Sequence, residues 1–158
     1  MGVSGCGKSA VGAGLAACLG LPFVEGDTPV NVARMAAGIP LDDADRWPWL
    51  DAAAQTLARG GIVSCSALKW SYHDRLRHGA GRPVTFVFLK GSEALLAERM
   101  EARTGHFMPP SLLAMPPSLL AGQLATLEDP SGEPRTVTVD INQPLAPSSL
   151  KRPPRCVP

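Results

Sequence analysis

Hydrophobic positions along the chain alternate between helical and strand spacing. Val11, Leu15 and Leu19 recur at i, i+4 and i+8, which predicts a helix stopped by Gly20 and Pro22. Residues 22–25 form a short strand that ends at Gly26-Asp27. Residues 31–37 allow one or two helical turns before Gly38, and residues 42–46 read as a charged turn. A helix from about Pro48 places Leu50, Ala53, Ala54 and Leu57 on one face, with Gly60-Gly61 as its stop. Ile62 to Ser66 reads as a buried strand, followed by a short helix to His78. The apolar, β-branched and aromatic run Val84 to Leu89 gives the clearest strand. Ser92 then caps a helix to Arg103 carrying Leu95, Leu96 and Met100, and Thr136 to Asp140 is a last strand. Strands alternating with helices, without hairpin signals, predict an α/β fold: a parallel sheet with helices on both faces.

Two stretches fall outside this alternation. The heptad Met108 to Ala114 is repeated at once as Met115 to Ala121, a local duplication too short for a solenoid. Pro116 and Pro117 would interrupt a helix, so the extra copy is expected in a loop. From Pro144 the sequence is proline-rich without apolar periodicity, which predicts a disordered tail over 146–158 behind a single domain at 1–145.

Composition narrows the function. The 158 residues suffice for one domain with a core, and 15 Lys plus Arg against 14 Asp plus Glu give a net charge of +1. That balance argues against a dedicated nucleic-acid binder or a membrane-surface protein. No apolar run approaches the roughly 18–20 residues of a membrane span. Cys6, Cys18, Cys65 and Cys156 lack C-x-x-C spacing, which suits reduced thiols in a cytoplasmic protein. His73 and His78 read as helix-surface residues, and no metal-binding spacing joins them to His106.

The strongest motif is at the N-terminus. Gly2, Val3, Ser4, Gly5, Cys6, Gly7, Lys8 and Ser9 match G-x-x-x-x-G-K-[ST] at each fixed position. The glycines allow a tight turn whose N–H groups converge on phosphate oxygens. Lys8 can reach the β- and γ-phosphates, Ser9 can ligate Mg²⁺, and the helix behind adds its dipole. These residues are the expected site for bound phosphate groups and Mg²⁺. Only Met1 precedes the motif, where a buried strand is expected.

With these segments in place, the chain resembles the gluconokinase family of small P-loop kinases. MGVSGCGKS, EGD at 25–27, NVARMAAGIPLDDADRWPWL at 31–50 and CSALKWSYHDRLR at 65–77 carry the likeness. FVFLKG at 86–91, RTGHFMP at 103–109, QLATLEDP from 123 and VDINQPL from 139 continue it. The resemblance implies transfer of phosphate from ATP to the 6-hydroxyl of D-gluconate, with Mg²⁺. It further implies a parallel sheet of order 2-3-1-4-5, a lid at about 103–122 and a homodimer, with no nucleic acid or membrane as partner.

On this resemblance Lys8, Asp27 and Arg103 are the candidate catalytic residues. Asp27 would orient or deprotonate the acceptor hydroxyl, and Arg103 would close onto the phosphates from the lid, ahead of Arg99. Arg46 and Lys69, with Asp27, would hold gluconate, the two cations pairing with its carboxylate. Each of these also suits a solvated carboxylate or a surface ion pair. His106 fits a cap of the lid, and Trp47 and Trp49 fit packing.

Three departures stand out. Strand 1 is missing before the phosphate loop, Thr28-Pro29-Val30 replaces a longer segment containing His-Pro, and the proline-rich tail replaces a C-terminal helix. They keep two alternatives open: a catalytically impaired truncated or spliced variant that binds nucleotide weakly or modulates an intact protomer, and a kinase of the shikimate kinase type.

Overall fold

The computed structural model describes residues 1–26, 42–102 and 117–142. Asp27, Arg103, His106, the first heptad copy and the tail lie outside the described residues. The described chain is α/β. Helix α1 (Lys8–Leu19) leads to β1 (Phe23–Glu25), α2 (Asp43–Ala58), β2 (Ile62–Ser64) and α3 (Trp70–Ala80). Then follow β3 (Phe86–Lys90), α4 (Glu93–Ala102), α5 (Pro117–Thr126), a 3-10 turn at Pro130–Gly132 and β4 (Thr136–Asp140).

The strands form two parallel pairs, β1 with β2 and β3 with β4. Phe23 stands opposite Ile62, and Phe86 opposite Thr136. Met1 and Gly2 bridge the pairs: the Met1 ammonium donates to Val87 O at 2.6 Å and Leu89 N–H donates to Met1 O at 3.0 Å. On the other side Gly2 N–H donates to Ser66 O at 3.3 Å.

Two cores flank this bridge. In the first, Leu50, Ala53 and Ala54 of α2 meet Tyr72, Leu76 and Ala80 of α3 and Phe86 of β3. In the second, Val3 and Cys6 of the phosphate loop pack with Leu68, Leu89, Leu96 and Leu120. A bidentate ion pair ties α2 to α3, with Arg75 donating to both Asp51 oxygens at 2.6 and 2.7 Å.

Several expectations are corrected. The charged stretch 42–46 is not a turn. Asp42 caps α2, accepting from Asp45 N–H at 2.8 Å while its own N–H donates to the Asp45 carboxylate at 3.1 Å. This reciprocal box satisfies two end donors and starts the helix at Asp43, five residues before Pro48. Pro48 therefore sits inside α2 and leaves the Ala44 carbonyl without its helical donor. Pro117 likewise opens a helix instead of breaking one, because a first helical position needs no N–H. Residues 117–122 of the expected lid are thus helical.

His73 is not a surface residue but fully buried. Its Nε2 donates to Ala67 O at 2.7 Å, and its Nδ1 lies 2.9 Å from the Glu133 carboxylate. Val11, Leu15 and Leu19 do share one face of α1, but that face is exposed by 37%, 36% and 51%. It borders an open slot between β2 and β3.

Candidate active site

The phosphate loop wraps from Met1 to the start of α1. Gly7 adopts a left-handed conformation, φ 89°, immediately before the helix, a turn that Gly makes without steric cost. A Cβ on Gly5 would meet Leu96 O at 2.9 Å, so the loop lies directly against α4. Ser4 N–H donates to the buried Gln123 Oε1 at 2.7 Å, which anchors the loop to α5. Lys8 Nζ donates to Val3 O at 3.0 Å and so folds back over the loop. The first-turn N–H groups of α1 lack helical acceptors and carry the positive end of the dipole, as an anion site requires.

Ser9, expected to ligate Mg²⁺, donates its hydroxyl to Glu25 Oε1 at 2.8 Å. Ser64 donates to the same oxygen at 3.0 Å. The ends of β1 and β2 thus converge on the start of α1. A hydroxyl beside a carboxylate is a hard-oxygen donor set, which suits Mg²⁺ held partly by nucleotide phosphates and water. Among the described residues no group of three or more His, Cys, Asp and Glu could hold a metal ion.

Asp27 lies outside the described residues, but the backbone leading to it is fixed. Gly26 N–H donates to Ser64 O at 2.7 Å. A Cβ at Gly26 would sit 2.3 Å from Ser64 O and 2.8 Å from the Trp49 ring, so only glycine fits. Gly26→Ala is expected to destabilise the fold by about 1–3 kcal/mol through overpacking. Urea unfolding of the variant checks this.

Arg46 and Lys69 come together at the Tyr72 ring. The Arg46 guanidinium lies 5.6 Å and Lys69 Nζ 5.4 Å from the Tyr72 ring centroid. Both distances fall in the cation–π range. Lys69 also pairs with Asp43 at 2.9 Å, and Tyr72 Oη donates to the same carboxylate at 2.5 Å. These hydrogen bonds, Lys69 first, hold the Asp43 carboxyl below its ordinary value. Asp43 in turn raises Lys69, keeping it charged. Burial and the Asp43 hydrogen bond push the Tyr72 phenol up. Arg99 is turned to the scaffold, donating to Ile141 O at 3.3 Å.

Sequence reasoning missed Glu25, Asp43, Tyr72 and Gln123. Glu25 was within reach as the residue before Gly26-Asp27 at a strand end. Asp43 lies 26 residues from Lys69 and Gln123 lies 119 from Ser4, so only the fold joins them.

Taken together, a glycine-built phosphate loop opening a helix beside parallel strands defines an α/β nucleotide-phosphate-binding protein of the P-loop class. No protein-family model matches the chain. The gluconokinase of Gluconobacter oxydans (strain 621H) is 47% identical over 148 residues, covering 88% of this chain and 79% of that protein. The thermoresistant gluconokinase of Escherichia coli (strain K12) is 40% identical over 155 residues, covering 92% and 84%. The crystal structure of a gluconokinase from Sinorhizobium meliloti 1021 superposes with a TM-score of 0.78 at 57% identity, covering 91% of this chain and 81% of that one. The chain belongs to the gluconokinase family.

Proposed function

We propose that this chain transfers the γ-phosphoryl group of ATP to the 6-hydroxyl of D-gluconate, giving 6-phospho-D-gluconate. The observation that carries this reading is the phosphate loop Gly2 to Ser9, in a chain 47% identical to a gluconokinase along most of its length.

Phosphoryl transfer needs in-line placement of two substrates and neutralisation of phosphate charge. The N–H groups opening α1 would bind the phosphates, with Lys8 exchanging Val3 O for a phosphate oxygen. Ser9 would ligate Mg²⁺, which would supply neutralisation of phosphate charge, and Glu25 would orient the Ser9 hydroxyl. Gln123 would keep Ser4 and its neighbours in register. Asp27 would orient or deprotonate the acceptor hydroxyl, Arg103 would approach the phosphates, and Arg46 and Lys69 would hold the gluconate carboxylate. Closure of the lid segment would exclude water. We further read the two strand pairs as the halves of a 2-3-1-4-5 sheet, in a cytoplasmic homodimer. Among the described residues no helix is long and apolar enough to cross a membrane.

Two measurements test the substrate side. ADP formation with gluconate should exceed that with shikimate or a nucleoside; equal rates would reject the assignment. Lys69→Ala should raise KM for gluconate about tenfold and leave KM for ATP within twofold, as loss of one charge-assisted contact predicts. A rise in both constants would place Lys69 in the scaffold instead.

A further inference from the structure

Asp43 opens α2, where the positive end of the helix favours its charge. Its Oδ1 accepts from Lys69 Nζ at 2.9 Å and from the Tyr72 hydroxyl at 2.5 Å. Among the described residues its Oδ2 accepts only from Lys69, at 3.2 Å. A carboxylate oxygen takes about two hydrogen bonds, so Oδ2 keeps one position open. Lys69 carries three N–H donors and Asp43 engages at most two of them, which leaves one. An acceptor and a donor therefore stand side by side on side chains that are 46% and 34% exposed.

The pair is held rigidly from below. Tyr72 is buried in the first core and meets the Trp47 ring at 5.5 Å, nearly perpendicular to it. Burial and the Asp43 hydrogen bond push the phenol up, so Tyr72 keeps its proton and remains a donor. The bonds from Lys69 and then Tyr72 hold the Asp43 carboxyl below its ordinary value, so Oδ2 stays ionised. A short run of chain links the pair to the phosphate loop. β2 ends at Ser64, which shares Glu25 with Ser9, and Leu68, next to Lys69, packs with Val3 and Cys6.

We infer that Asp43 is a specificity-determining residue that, together with Lys69, selects a 2-hydroxy acid. The substrate carboxylate accepts the remaining Lys69 N–H, and the hydroxyl on the adjacent carbon donates to Asp43 Oδ2. This rests on the proposed role of Lys69 in holding the gluconate carboxylate. An aldonate carries an acceptor and a donor on neighbouring carbons, the complement of the donor and acceptor that Lys69 and Asp43 present. A hydroxyl donating to an ionised oxygen belongs to the strong, charge-assisted class of hydrogen bond. An acid without the 2-hydroxyl brings its carboxylate up to Asp43 with no proton between them. Water reaches the half-exposed Asp43 and replaces part of the lost bond, which sets the discrimination at about tenfold.

The test is titration calorimetry of the full chain with D-gluconate and with 2-deoxy-D-gluconate, which differ by one hydroxyl. The wild type should bind D-gluconate about tenfold more tightly. Asp43→Ala should bring the two affinities within about twofold of each other. The α2 capping box uses Asp42 and Asp45 and survives this change. Asp43→Asn, which can keep an oxygen on Lys69 and Tyr72 but turns an N–H₂ group where Oδ2 stood, should shrink the ratio in the same direction. A purely structural role for Asp43 would weaken both acids equally and leave the ratio unchanged. Equal binding of the two acids by the wild type, or a tenfold ratio that persists in both variants, would overturn the inference and leave the gluconate reading standing. A wild type that binds neither acid would overturn both.

Discussion

Lys8→Ala is expected to lower kcat/KM for ATP by about 10²–10³, the cost of removing one preorganised donor from developing transition-state charge. The same change should leave stability nearly untouched. Lys8 donates to Val3 O across the loop at 3.0 Å and belongs to neither core. Steady-state kinetics beside urea unfolding separate the two effects. A large fall in kcat/KM with an unchanged unfolding midpoint assigns Lys8 to phosphate. A parallel loss of stability would mean that the Val3 contact holds the loop and that the kinetic effect is indirect.

The second large effect concerns folding. His73 is buried between two acceptors, the Ala67 carbonyl and the Glu133 carboxylate, and Glu133 also accepts from Arg77 at 2.7 Å. His73→Leu leaves that carbonyl and part of that carboxylate unsatisfied, and should cost about 3 kcal/mol, the scale for breaking a buried charged pair. Ala67 has φ 39°, a left-handed value that a non-glycine residue holds only when its surroundings enforce it. Losing the His73 hydrogen bond therefore also loosens the segment leading to Lys69.

A pH signature accompanies this. Burial pushes the Glu133 carboxyl up, but the hydrogen bonds from His73 and then Arg77 outweigh it and hold the group below its ordinary 4.5. A carboxyl depressed in the folded state stabilises the fold above the unfolded value and loses that contribution as pH falls through the folded one. Wild-type stability should thus decline below about pH 4.5, and His73→Leu should decline less steeply from a lower start. Urea midpoints between pH 3 and 7 test both. Parallel curves would show that His73 contributes packing alone.

Several features of the fold were legible in the sequence. β2, β3 and β4 were readable because apolar, β-branched runs stand between glycine and proline punctuation. The start of α2 was not, because its capping box uses Asp45 where Glu or Gln is customary, and the acidic cluster mimics a turn. His73 was misread because the partner that makes its burial tolerable is Glu133, 60 residues away. The apolar periodicity of α1 correctly gave a helix and one face, but periodicity does not reveal whether a neighbour covers that face. In the candidate site, Lys8 and Ser9 followed from local spacing. The convergence of Ser9, Ser64 and Glu25 depends on two strand ends meeting a helix start, and the pairing of Lys69 with Asp43 depends on the docking of α3 against α2.

The central claim is that this chain moves phosphate from ATP to gluconate. The most direct test is phosphorus NMR of the purified chain with ATP, Mg²⁺ and D-gluconate, with Lys8→Ala as control. The account predicts a phosphomonoester resonance, identical to that of authentic 6-phospho-D-gluconate, that grows as the γ-phosphate signal decays and fails to appear with Lys8→Ala over the same interval. ATP that stays intact with gluconate present, in a sample that unfolds cooperatively, would contradict the claim and leave the nucleotide-binding variant as the reading that stands.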